Sequence, residues 1–219
     1  MTSSRSMTGP LIAVTSLFFM WGFITVLLDS VIPRLREIFE LSYFEAGLLQ
    51  FAFFIAYGLV SIPAGALLSR IGYKNGMLIG LVTMGLGCLL FWPAADQRML
   101  GIFMMGYFIL ASGMTVLQVA ANPYVAVLGD ESGASSRLNL AQAFNSVGTT
   151  IAPIIGAQFL LSDTILSSDA IKALGAQAKE DYFLSEAHAV QGPFIAIACA
   201  LIALALILAL RRFAPKLPG

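Results

Sequence analysis

Six stretches of this chain are apolar over a length that can cross a bilayer, and no other feature limits its fold so strongly. They run over about residues 9–35, 43–69, 76–94, 98–129, 137–162 and 190–211, against the roughly 20 apolar residues a spanning helix needs. Hydrocarbon offers no partner for a backbone N–H or C=O, so a spanning segment must pair those groups within itself, as a helix does. The sequence therefore predicts an all-α membrane protein of six transmembrane helices with no soluble domain. Composition agrees: 58% of the 219 residues are hydrophobic and 11% charged, where a soluble domain carries roughly 25% charged residues. The formal net charge of zero offers no footprint for a nucleic acid, and none is expected as a partner.

Charges mark the breaks between spans. RLREIFE follows the first, SRIGYKNG the second, ADQR the third and GDESGASSR the fourth. Asp163 to His188 is the only long polar connector, and its middle, DAIKALGAQAKEDYFLSEAH, predicts one or two short surface helices. The opening MTSSRSMTGP is not expected to be a cleaved signal, because the apolar run behind it is too long and lacks a small-residue cleavage site. With both termini inside, the inner segments hold Arg5, Arg70, Lys74, Arg137, Arg211, Arg212 and Lys216. The longer outer ones hold Arg34, Arg36, Arg98, Lys172 and Lys179. Basic residues are denser on the inner side, so both termini are expected in the cytoplasm. Cys88 and Cys199 lie inside apolar runs and read as small buried or lipid-facing side chains rather than a disulfide.

Polar residues inside the spans carry the functional signal. Asp29, in FMWGFITVLLDSVIP, is the one ionisable group clearly within a span, and such a group is a functional-site hypothesis by default. The alternative is an aspartate at the outer mouth that only faces water, since Pro33 and Arg34 follow closely. Trp21, Thr25 and Asp29 recur every four residues and share one helix face. In the fifth span, RLNLAQAFNSVGTTIAP, Asn139, Gln142, Asn145 or Ser146, and Thr149 form a polar stripe. Gln118 and Asn122 add a pair on the fourth span, beside Pro123. Lipid cannot satisfy such groups, so they face protein or a watery cavity. Interhelical hydrogen bonds explain one or two of them; so many on two helices predict a lined cavity. Amides that both donate and accept, beside Trp21, Tyr57 and Phe144, suit a polyhydroxylated ligand. Gly58 and Gly65, Gly76, Gly80 and Gly87, and Gly148 and Gly156 are expected to be places where helices pack closely.

Residues 25–33, TVLLDSVIP, align without a gap on residues 115–123, TVLQVAANP, with Thr, Val, Leu and Pro in common. One copy lies in span 1 and the other in span 4, which enter the membrane in opposite directions. A three-plus-three inverted repeat follows, an arrangement found in secondary transporters with the site near the midplane. Nothing points to an enzyme. His188, the only histidine, sits at the edge of the outer connector, and there is no HExxH, CxxC or phosphate-binding glycine loop.

With these residues in view, the chain resembles the major facilitator superfamily, and within it the fucose permease and glucose/galactose transporter group. GALLSRIGYKNG, residues 65–76, is similar to the superfamily's loop between helices 2 and 3, with Gly65, Arg70, Gly72 and Lys74 matching and Ser69 in place of the usual aspartate. FMWGFITVLLDSVIP, LQVAANPYVAVLG and SSRLNLAQAFNSVGTTIAP carry the narrower likeness. The resemblance implies one six-helix half of a major facilitator fold in a bacterial inner membrane, with sugar and a proton as its ligands and no cofactor or metal. It implies proton coupling at Asp29 and sugar contacts from Trp21, Gln142 and Asn145, with Gln118 and Asn122 on the same cavity. The fucose permease has a glutamate where this chain has Gln118 and an asparagine where it has Val26. That departure points to a hexose such as glucose or galactose over fucose. Family members have twelve helices, whereas this chain looks like an N-terminal half whose cavity needs a second half, in trans or as a homodimer. The other expectation in view is a six-helix module that does not transport.

Overall fold

The computed structural model describes residues 8–39, 41–97, 99–160, 166 and 168–210. Arg5, Arg98, Arg211, Arg212 and Lys216, counted above for orientation, and the start of the polar connector at Asp163 lie outside them. Every regular element among the described residues is helical: α1 (Thr8–Ile38), α2 (Tyr43–Asp96), α3 (Leu100–Val127), a 3₁₀ turn (Glu131–Gly133), α4 (Ala134–Leu160), α5 (Ser168–Ala173) and α6 (Ala176–Leu210). Among the described residues four helices are long and apolar enough to cross a membrane: α1 over Thr8–Ser30, α2, α3 and α6. The 27 residues of α4 hold the polar stripe, which dilutes their hydrophobicity.

At 54 residues, α2 would run about 81 Å if straight, against a hydrocarbon core of about 30 Å. It is two helices, over 43–71 and 73–96, joined at Gly72, whose φ of 79° and ψ of 166° are non-helical. Only glycine adopts that region without strain. The break expected over several residues of SRIGYKNG is thus one residue long. Asn75 Nδ2 donates to Ile71 O (2.9 Å) beside the kink, and Lys74 Nζ donates to Ala209 O (2.9 Å) at the end of α6. A cation on the last carbonyls of a helix caps it. The loop sequence GALLSRIGYKNG therefore makes the reversal at Gly72 and ties it to α6 through Lys74, while Arg70 is exposed. At its other end α2 starts on a capping box, Glu45 N donating to Ser42 Oγ (3.2 Å) and Ser42 N to Glu45 Oε2 (2.8 Å).

The last helix begins at Ala176, earlier than the expected 190. One short helix, α5, does precede it, but the second half of the connector is continuous with the span. Pro193 lies inside α6 without ending it, as neighbouring helices allow in membranes.

α1 packs along α4, and α2 packs along α3 and α6. Glycines set how closely. A Cβ built on Gly113 of α3 would stand 2.5 Å from Met84 N and 2.7 Å from Gly80 O of α2, and one on Gly87 would stand 2.6 Å from Leu110 N. Gly148 of α4 lies in the same way against the backbone of Phe19 and Phe23, and Gly22 of α1 against the carbonyl of Asn145. Gly58 and Gly65 differ from expectation: a Cβ on either meets nothing within 4 Å. They lie on the open face of α2 beside exposed Phe51, Phe54, Leu59 and Ile62, not at a helix contact within this chain.

Gly113→Ala should lower the midpoint of thermal or denaturant unfolding in detergent, at a cost of about 1–3 kcal/mol for overpacking a tight site. Gly101→Ala, where a Cβ meets nothing within 4 Å, should leave it unchanged or raise it slightly.

Candidate functional site

Three helices bring polar groups to one level. Gln118 of α3 donates through Nε2 to the Tyr57 hydroxyl of α2 (2.7 Å). Trp21 of α1 and Gln118 line the same narrow crevice with Leu17, Phe18, Leu117 and Ala121. Tyr57 oxygen is thus the acceptor that ties α3 to α2, with the indole of α1 in the same crevice as Gln118. Part of the reason is the face that α2 presents: Gln50, Phe53 and Tyr57 fall at i, i+3 and i+7 and lie along one stripe. Phe53 packs against Tyr57, ring centroids 5.2 Å apart and tilted by 37°, and holds its ring.

Two turns further along α1, about 12 Å away, Asp29 uses the same α2 stripe. Its carboxylate accepts from Gln50 Nε2 at 3.4 Å and is otherwise exposed. The aligned segments 25–33 and 115–123 both turn their polar group toward α2, Asp29 to Gln50 and Gln118 to Tyr57. Their threonines match as well: Thr25 Oγ1 donates to Trp21 O (2.9 Å) and Thr115 Oγ1 to Ala111 O (2.8 Å).

The stripe on α4 divides. Asn145 turns inward, its Nδ2 donating to Phe18 O of α1 (3.0 Å), at the level where Gly22 meets its own backbone. Asn139, Gln142 and Ser146 are exposed. The hydroxyls are satisfied on their own helix, Ser146 on Gln142 O (3.1 Å) and Thr149 on Ser146 O (2.8 Å). That leaves Asn139 and Gln142 as the amides on this face turned outward. Asn122 is likewise occupied locally, Nδ2 donating to Gln118 O (3.1 Å) in the turn that contains Pro123. Phe144 does not join the cluster: it lies in an apolar groove with Phe19, Met20 and Ala200 on the side of α6. Trp21, Gln118 and Asp29 are thus brought to a common face of α2, Asn145 underpins α1, and Gln142 stands apart on α4.

Gln50 escaped the sequence reading, although an amide in LLQFAFFIAYG and its seven-residue spacing from Tyr57 were visible. Tyr57 stood out as an aromatic, not as the acceptor for Gln118. His188 Nε2 lies 4.0 Å from Asp96 Oδ1, both exposed, away from this cluster. Among the described residues there is no group of three His, Cys, Asp or Glu side chains placed to hold a metal ion.

A helical membrane protein with amides, aromatics and one carboxylate converging from three helices is the class that the fold and site define. Residues 11–218 match the Major Facilitator Superfamily, and the chain belongs to that family. It is 48% identical over 212 residues to a glucose/galactose transporter of Brucella abortus, covering 96% of this chain and 48% of that protein. It is 40% identical over 211 residues to the L-fucose-proton symporter of Escherichia coli, again covering 96% of this chain and 48% of the other. The crystal structure of the E. coli fucose:proton symporter superposes with a TM-score of 0.87 at 38% identity, covering 97% of this chain and 51% of that one. A Major Facilitator Superfamily transporter solved in the outward conformation gives 0.88 at 39% identity, with the same coverage. The chain spans about half the length of the curated relatives it matches.

Asn145→Ala should lower the unfolding midpoint, since it removes an interhelical hydrogen bond worth about 0.5–1.5 kcal/mol. Gln142→Ala, at an exposed position, should leave it within about 0.5 kcal/mol of the parent. Parallel denaturant titrations of the two variants distinguish the roles.

Proposed function

We propose that residues 1–219 are the N-terminal six-helix half of a proton-coupled hexose transporter, built as a three-plus-three inverted repeat that works by alternating access. The observation that carries this is the meeting of Trp21 and Gln118 in one crevice, Gln118 bonded to Tyr57, with Asp29 two turns away on the same α2 stripe. A sugar presents hydroxyls that need donors and acceptors together, and an aromatic face to lie on. Trp21, Tyr57, Gln118 and Gln142 supply both; Asn122 shapes the α3 backbone beneath them and Asn145 fixes α1. A proton needs a group that ionises, and Asp29 is that group. The sugar is glucose or galactose: Gln118 is neutral, and a glucose/galactose transporter is among the relatives. The protein is not an enzyme.

The paired threonines and the common orientation of Asp29 and Gln118 toward α2 support the repeat. Six spans arise when α2 is counted as two helices and α4 as a crossing. Both termini lie in the cytoplasm of a bacterial cell, with the inner membrane as the site of action. The open faces of α2 and α4, where Phe51, Phe54, Leu59, Gln142 and Ser146 are exposed, receive the second six-helix half, in trans or as a second copy. Loop residues Gly65, Arg70, Gly72 and Lys74 form the inner turn between the second and third spans, Gly72 and Lys74 by the contacts described above.

Sugar uptake into vesicles that hold this chain with a second half, followed with a pH-sensitive dye, tests the reading. Asp29→Asn should abolish sugar-driven proton movement while sugar counterflow persists, because an amide cannot carry the proton. Full proton-coupled uptake by that variant would remove Asp29 from the mechanism.

A second outcome follows from the open cavity. Alternating access is the rocking of one bundle against another around a fixed site. Residues 1–219 expressed alone should insert and fold, but monomers in liposomes should show no sugar flux. Flux from demonstrably monomeric chain would overturn the half-transporter reading.

A further inference from the structure

We propose that Tyr107 is a positioning residue for proton release: its phenol donates a hydrogen bond to the Asp29 carboxylate once the proton has left. This rests on the reading of Asp29 as the proton carrier. Tyr107 is 1% exposed, and its hydroxyl has no hydrogen-bond partner among the described residues. An unpaired buried hydroxyl is costly, and in a native protein it asks for an explanation. The ring cannot easily turn to find one elsewhere. Phe53 and Phe91 flank it at 5.9 and 6.0 Å.

Register places the phenol beside Asp29. Thr25 Oγ1 lies 3.4 Å from Met114 Sδ, a contact that sets α1 against α3. Asp29 lies four residues beyond Thr25 on the same face of α1, and Tyr107 seven residues before Met114 on the same face of α3. The helices run antiparallel, so both are displaced in the same direction, by about 6 and about 10 Å. In the present conformation the carboxylate instead faces outward and accepts only the long bond from Gln50.

The step balances simply. The protonated carboxyl of Asp29 loses H⁺ to water in the cavity, and the resulting carboxylate turns inward to accept the phenol's hydrogen bond; the phenol keeps its own proton. A donor to the charged form favours ionisation, so the inward position holds the carboxylate after the proton has left and favours its release. Among the described side chains, the other charges near this end of α1 are already engaged. Arg36 lies 3.7 Å over the Tyr43 ring, Glu45 of α2 is held in its cap with Ser42, and Asp96 of α2 faces His188 of α6. Glu186 of α6 is buried and has its own partner. α3 has no charged side chain, and Arg137, the one charge on α4, donates to Val125 and Ala126 carbonyls at the opposite end.

The test is an infrared titration of the full chain in lipid vesicles, following the carboxylic-acid carbonyl band that disappears in Asp29→Asn. Tyr107→Phe deletes only the hydroxyl from an apolar site, and the variant should fold at least as stably as the parent. The Asp29 midpoint in it should move up by about one pH unit, a tenfold change, for the loss of a hydrogen bond to a charged group. An unmoved midpoint overturns the proposal whether or not the chain transports sugar. A shifted midpoint in a chain whose Asp29→Asn variant still couples protons to sugar would overturn the transport reading, and with it the release role.

Discussion

Two apolar helices in a bilayer gain little from burying apolar surface against each other, because lipid is as apolar as they are; they gain when backbones come close enough for dense packing and short polar contacts. In this chain that approach happens at glycines. Gly80 and Gly113 let the second half of α2 lie on α3, and Gly22 and Gly148 do the same for α1 and α4. Everything at the site inherits its position from these contacts. Asn145 reaches Phe18 O only because Gly22 and Gly148 leave room for the two backbones. Thr25 meets Met114, and so fixes the height of Asp29, only because α3 is held firmly from its other side.

Close packing then sorts the amides into two kinds. Those on closed faces bond to backbone or to each other: Asn145 to α1, Asn122 to its own helix, Gln118 to Tyr57. In hydrocarbon an amide without a partner costs about 2–7 kcal/mol, so these groups act first as positioning elements. Gln142 and Asp29 lie on open faces and keep capacity for something outside the bundle. Tyr57 belongs to both kinds. Its oxygen accepts from Gln118, and that leaves its hydroxyl proton to point elsewhere.

The sequence was informative wherever the signal was local and periodic. Long apolar runs with charges between them set out the helices, and the four-residue spacing of Trp21, Thr25 and Asp29 gave the polar face of α1. It was less informative where geometry came from another helix. Asn145 and Ser146 are adjacent on the stripe, and nothing in RLNLAQAFNSVG says which one turns toward α1 until Gly22 of that helix is in place. Gly58 and Gly80 look alike in sequence, yet one faces open space and the other a backbone. Phe144 read as a cavity aromatic because it neighbours Asn145, but consecutive residues on a helix point about 100° apart, which carries it to the groove beside α6. The extent of α6 was missed for a different reason: Pro193 and the polar residues before it resemble a boundary, whereas packing against α2 lets the helix continue through them.

The replacement of a carboxylate pattern by Gln118 has an energetic consequence for the proposed transporter. Two carboxylates sharing one cavity would repel when both ionise, and the proton would belong to the pair rather than to either residue. On the proposed reading, with a neutral amide at position 118, Asp29 is the one coupling carboxylate this half offers, so this half would carry one proton per cycle at most. A charge moved across a membrane potential gains about 2.3 kcal/mol per 100 mV. At 1.36 kcal/mol for each tenfold change, one proton can hold a sugar gradient of about 50-fold per 100 mV. That ceiling is set by the number of ionisable groups in the spans and not by how tightly the amides grip the sugar. Binding groups such as Gln142 can tune which sugar is taken and at what concentration, but the accumulation that one turn of the cycle supports is decided at Asp29.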